Sequence, residues 1–210
     1  MNTDILTNPA FQALRALVSR VIDKVEFRHH GIGVLQGYVR ENFEPEVRIH
    51  IWSRRLLKPG MEVSGDIHDH RFDMVSHVLS GSVWHEEINE FEDPNGDHVM
   101  MALTHARAAA GTDYHGPTTP LAGRFSVRRT IYKIPEGCSY RFPAGKFHHS
   151  PLQESLDEIA VTCVEKHRQR DVQARILYPA AHDPVMAFGH KPDPELVREI
   201  VSTAAARLAE

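Results

Sequence analysis

Two separated segments constrain this chain more than any other feature. The first runs Gly65-Asp-Ile-His68-Asp-His70-Arg-Phe-Asp73-Met74-Val-Ser-His77-Val-Leu-Ser-Gly81, and the second runs Gly137-Cys-Ser-Tyr-Arg-Phe-Pro143-Ala-Gly145-Lys-Phe-His148. Residues two apart on a strand share a face, so His68 and His70 point the same way and Asp69 the other. The Pro-x-Gly turn before His148 can bring another strand past that pair. Three imidazoles converging on one divalent ion leave coordination positions open for chemistry. The chain holds 15 histidines, and a lone one is ordinarily a surface or hydrogen-bonded core group. Spacing and strand placement are what set these three apart.

The rest of the pattern reads as a β-rich middle between helices. Apolar residues recur at near-helical intervals over 4–28, with Pro9 an early interruption, and a glycine-rich passage from Gly31 to Gly37 ends that region. Alternation predicts strands near 47–54, 75–79, 82–91, 124–134, 139–142 and 159–166. Asp93-Pro94-Asn95-Gly96-Asp97 is a turn, with 98–104 a return strand. Residues 106–123 form a long irregular stretch suited to a lid. Asp193 caps a C-terminal helix to Leu208, with Pro194 at its first position.

The length of 210 residues suits one domain. Its parts are a helical segment over about 1–30, a barrel over about 34–180 and a helix over about 193–208. A net charge of -4, with no basic patch or paired DNA-binding helices, argues against nucleic acid as a partner. No apolar run reaches the ~20 residues that span a bilayer, and the first residues lack a secretory pattern. The expectation is a cytoplasmic protein with no membrane partner. Cys138 and Cys163 make no disulfide framework and read as buried thiols.

Gly137, Pro143, Gly145 and His148 resemble the complete second motif of the cupin superfamily. His68 and His70 resemble its first motif, with Met74 where the glutamate ligand usually stands and Asp73 beside it. The resemblance covers roughly residues 45–167. It implies a mainly β, cupin-type jelly-roll barrel with N- and C-terminal helices, often a homodimer. It also implies one divalent ion on His68, His70 and His148, with Fe(II) favoured and Zn, Ni, Mn or Cu also compatible. Asp73 is a candidate fourth ligand. His77 falls on the other face unless a bulge intervenes, His149 should point away from His148, and His85 is a candidate cavity residue.

Ile67-His-Asp-His70 followed by Leu79-Ser-Gly81 looks like the thiol dioxygenases, such as cysteine dioxygenase. That family carries a substrate-binding arginine on a Tyr-x-Arg segment, matched here by Tyr38-Val-Arg40. Arg40 is therefore a candidate to hold a substrate carboxylate, or else a surface residue paired with Glu41 or Glu44. The family's serine, histidine and tyrosine after the third ligand are absent, and Val161-Thr-Cys163-Val-Glu165 stands there instead. Glu165 is either an acid/base group or the solvated end of a strand. Arg48, Arg54 and Arg55 offer a second arginine source, and Tyr132 and Tyr140 offer phenols.

Three functions remain open on these residues. One is an Fe(II) dioxygenase acting on a small polar or carboxylate-bearing substrate with dioxygen. The others are a non-oxidative metal lyase or isomerase, and a small-molecule-binding cupin without turnover.

Overall fold

Alternation from Glu46 to Trp52 sorts side chains onto two faces: Ile49 and Ile51 are fully buried on one, while Arg48, His50 and Trp52 project from the other. That division organises the whole molecule. The computed structural model describes residues 8–30, 33–41, 44–57, 67–103, 118–151, 159–168, 171–181 and 192–210. Within them the order is α1 (Pro9–Val21), β1 (Phe27–His30), β2 (Val34–Arg40), β3 (Glu46–Trp52), β4 (Ile67–His68), β5 (Asp73–Ser80) and β6 (Ser82–Glu92). There follow β7 (His98–Leu103), β8 (Thr118–Pro120), β9 (Phe125–Pro135), β10 (Ser139–Phe142), β11 (Phe147–His149), β12 (Ala160–His167), β13 (Ala174–Pro179) and α2 (Pro194–Ala209). The protein is mainly β, two sheets with a helix near each end, as the sequence predicts.

Sheet A has the order β1-β2-β3-β12-β5-β10. Sheet B has the order β13-β4-β11-β6-β9-β7-β8, and β13 also pairs with β7, so the pairing returns on itself. Ile67, Ile88, Met100, Phe125, Phe147 and Leu177, one from each of the six strands in that loop, meet in a single cluster. The opposite face of sheet B carries the histidines.

Both helices lie on the outer face of sheet A rather than along a barrel edge. Phe11, Val18, Ile200, Ala204 and Leu208 pack there with Leu35, Ile49, Ile51, Val161 and Cys163. Arg15 ties the helices together, donating to the carbonyls of Arg207 at 2.7 Å and Leu208 at 3.2 Å and pairing with Glu136 at 2.7 Å. Ile200 is fully buried in this layer. Ile200→Ala should therefore lower the unfolding free energy by about 3 kcal/mol in urea denaturation. A loss under about 1 kcal/mol would mean that α2 does not seal the core.

Four local expectations are corrected. The helix expected over 4–28 stops at Val21, followed by a 3-10 turn at Ile22–Lys24 and strand β1. Pro9 starts this helix instead of interrupting it, with the Asn8 side chain accepting from the Ala10 amide. Gly37 lies inside β2, where a Cβ would come 2.3 Å from Val25 Cγ1, so its role is close approach and not termination. The strand after the Asp93 turn does not return along β6. That edge is taken by β9 over eleven residue pairs, and β7 pairs with β13, a strand the alternation did not reveal. Of the stretch 106–123, Thr118–Pro120 forms β8, and residues 106–117 lie outside the described residues.

Candidate metal centre

β4 is only two residues long, yet it is held on both sides. His68 pairs with His148 of β11 and with Ile176 of β13. Residues directly opposite in an antiparallel pair share a face, so register alone places His68 beside His148. His70, two residues on, completes the group. The ring centroids are 4.9 Å (His68–His70), 4.6 Å (His68–His148) and 4.8 Å (His70–His148) apart. One nitrogen from each lies within 4.8 Å of the others, and His148 Nε2 is 2.9 Å from His70 Nε2. His148 is buried, while His68 and His70 are half-buried.

Asp69 faces the other way, as alternation predicts, and anchors the site from behind. It is 3% exposed. Its oxygens accept from the Arg175 amide at 2.5 Å and from Arg175 Nε at 2.7 Å. Arg175 Nη2 donates to the Gly145 carbonyl at 3.0 Å, and the Gly145 amide donates to the His70 carbonyl at 2.9 Å. One arginine thus ties the His68–His70 segment to the Pro143-x-Gly145 turn. Gly145 has φ +81°, the left-handed region that a side chain would strain. Burial outweighs the Arg175 contacts and holds the Asp69 carboxyl above its ordinary pKa.

The donor set fits a metal ion. Burial, reinforced by the neighbouring His68 and His70, pushes the His148 pKa well below that of free imidazole. Its ring stays neutral, as a ligand must be. Phe142 stacks on the His148 ring at 4.5 Å and Phe72 on the His70 ring at 4.6 Å, restricting both.

His85 also lies on this face, as the sequence suggested. It is 3% exposed, its ring centroid is 5.3 Å from that of His148, and neither ring nitrogen has a hydrogen-bond partner among the described residues. Burial lowers its pKa to about 4. The unfolded chain, with an ordinary value near 6.5, therefore takes up this proton first as pH falls. Stability should be full above pH ~6.5 and should decline toward pH ~4, by up to about 3 kcal/mol. Urea unfolding of the metal-free protein measures this decline. His85→Phe should make the decline shallower, His148 supplying what remains, and an unchanged slope would refute the assignment.

The remaining candidates fall elsewhere. His77 contacts Ser139 Oγ at 2.7 Å and Glu165 at 3.3 Å, on the face away from the centre. Glu165 also pairs with His167 at 3.0 Å. β12 turns Cys163 into the helix-covered layer, and Glu165, two residues on, shares that outer face. Register shifts between Tyr38 and Arg40, so Arg40 pairs with Val47, whose side chain packs against the same layer, and is exposed at the strand end. Neither Arg40 nor Glu165 is brought to the three histidines. Asp73 accepts from the Ala144 amide at 2.9 Å and is outside the histidine group, while Met74 packs with Phe142 and Val164. His149 points away from His148 and donates to Glu86 at 3.3 Å. That bond, aided by Arg129, keeps Glu86 below the usual carboxylate range despite burial.

Sequence reasoning missed Glu87, which pairs directly with His148 and so shares its face, half-buried. It missed Lys166 and Arg175 as well. Only the strand register reveals them.

The described residues form a mainly β fold of two sheets with two helices. No family model and no curated protein matches the chain. Solved structures do. An RmlC-like cupin from Shewanella frigidimarina is 14% identical, covering 71% of this chain and 88% of that one at a TM-score of 0.37. Rru_A2000 from Rhodospirillum rubrum, a cupin-2 domain, is 14% identical over 89% and 91% at 0.31. KdgF from Halomonas sp. is 12% identical over 70% and 92% at 0.36. Overlap of this extent assigns no residue and no activity to the present chain, whose architecture rests on the strand order and register above. No helix among the described residues is long and apolar enough to cross a membrane.

Proposed function

We propose that the protein is a mononuclear metal-dependent cupin enzyme, an Fe(II) dioxygenase acting on a small polar or carboxylate-bearing substrate. The observation that carries this reading is the convergence of His68, His70 and His148, without a carboxylate in the group. Three neutral imidazoles without a carboxylate suit a divalent ion such as Fe(II) and leave coordination positions free. A divalent ion held there would supply adjacent open positions for oxygen and substrate. The chain's own contributions are to keep the His148 ring neutral by burial and to fix the rings through Phe72, Phe142 and the Asp69–Arg175 tie.

Glu87 favours a second reading. A carboxylate on the face of His148 suits proton transfer, and so a non-oxidative lyase or isomerase. Elemental analysis and oxygen consumption separate the two. Iron near one per chain, with oxygen uptake on a panel of small carboxylates and thiols, is the expected result. Zinc, with turnover that persists under anaerobic conditions and is lost in Glu87→Gln, would replace the first reading with the second.

A further inference from the structure

We infer that Lys166 is the anchor of a carboxylate-binding subsite beside the metal centre, with Arg48 supplying the neighbouring positive charge. The inference rests on the metal-site reading above for its place in catalysis, and on separate observations for its chemistry. Across sheet A, Glu46 pairs with Lys166, Lys166 with Met74, and Met74 with Phe142. Residues in one such row share a face. Phe142 is the ring stacked on His148, so Lys166 lies on the face turned toward the three histidines. A second path gives the same placement. Lys166 Nζ sits 4.2 Å from the centre of the Phe72 ring, and Phe72 stacks on His70.

The charges in this group do not balance. Arg48 places Nε and Nη2 on Glu46 Oε1, each at 2.5 Å, and Lys166 Nζ reaches the same oxygen at 3.2 Å. One carboxylate therefore serves two cations whose side chains are only 17% and 12% exposed. The Arg48 guanidinium is also held by Gln36 at 3.2 Å and by the Tyr38 ring beneath it, so it is a fixed part of the wall. The ammonium of Lys166 is different. It has three donors, and Glu46 is its one polar partner among the described residues. Burial, then repulsion from Arg48, lowers its pKa, and Arg71 adds to that repulsion, while Glu46 opposes the shift. A bound anion would relieve this excess.

This location corrects the source of the substrate-binding charge. The sequence offered Arg40, which the shift in β2–β3 register turns onto the helix-covered face. The same strands present Arg48, and through β12 Lys166, on the face of the histidines.

The test titrates the full chain, metal-loaded and metal-free, with malonate, with its uncharged diamide, and with sulfate, by calorimetry. Malonate should bind wild type and the diamide should not. Lys166→Met should weaken malonate at least about tenfold, the cost of losing one charged hydrogen bond. Lys166→Arg should retain binding within about threefold, and Glu46→Gln should tighten it. Circular dichroism and the metal content of each variant confirm an intact fold and centre. Equal malonate affinity in wild type and Lys166→Met, or no binding to wild type, would overturn the subsite. Sulfate binding as tight as malonate would overturn its assignment to a carboxylate. A wild type that holds no metal would sink the proposed function instead, while malonate binding to that metal-free protein would still report on Lys166.

Discussion

His148→Ala should reduce bound metal from near one per chain to below about a tenth, measured by elemental analysis after dialysis against trace metal. His148 is the one buried member of the three, and it meets both other rings from a separate strand, at 4.6 and 4.8 Å. Removing it leaves two half-exposed imidazoles on one segment, a bidentate site that competes poorly with water. The fold should survive with a loss of about 2 kcal/mol, because Phe142 loses its stacking partner but sheet B keeps its backbone pairing. His77→Ala is the matching control. Its ring contacts Ser139 and Glu165, so metal content should be unchanged. Stoichiometric metal in His148→Ala, or its loss in His77→Ala, would move the centre elsewhere.

Arg175→Met should destabilise the protein by about 3–5 kcal/mol at pH 8, the cost of breaking a buried ion pair from one side. Asp69 would remain 3% exposed, with the amide of residue 175 as its main support. The effect should depend on pH in a definite direction. Burial already holds the Asp69 carboxyl above its ordinary value, and losing the guanidinium raises it further. The folded variant then binds this proton more readily than the unfolded chain, so its stability increases as pH falls through the folded pKa. Urea unfolding should show a smaller deficit at pH 5 than at pH 8. Because the same guanidinium holds the Gly145 carbonyl, metal affinity should fall as well, by roughly tenfold or more. A stability deficit independent of pH would mean that Asp69 and Arg175 are not a coupled pair.

The sequence carried the main outline because two signals agreed. Alternation placed β3, β5, β10 and β12 of sheet A but not β1 and β2, and the two histidine segments had to meet for either to make sense. His68, His70 and His148 were legible from spacing because strand period and turn geometry are local properties. Arg40 and Glu165 keep two readings each in the sequence for the opposite reason. A register shift between Tyr38 and Arg40 is invisible in the chain, and a single-residue slip exchanges the two faces. Of the two readings for Glu165 the structure matches the one outside the cavity, because β12 gives the inner face to Thr162, Val164 and Lys166. Glu87 and the pairing of β7 with β13 depend on which strands become neighbours, and no local pattern encodes that. The first helix ends early because tertiary pairing of β1 with β2 overrides its helical spacing.

The joining of α1 to the end of α2 has a consequence for the order of events during synthesis. Arg15 reaches the carbonyl of Leu208 across 193 residues of chain, and the apolar face of sheet A lies beneath both helices. Strands β2 and β3 leave the ribosome early, yet Leu35, Ile49 and Ile51 gain the cover of α2 only once residues 194–209 emerge. Until then a nascent chain carries an open greasy surface, a natural target for holdase chaperones. Folding should therefore be late and abrupt, completed by the final helix rather than built up strand by strand.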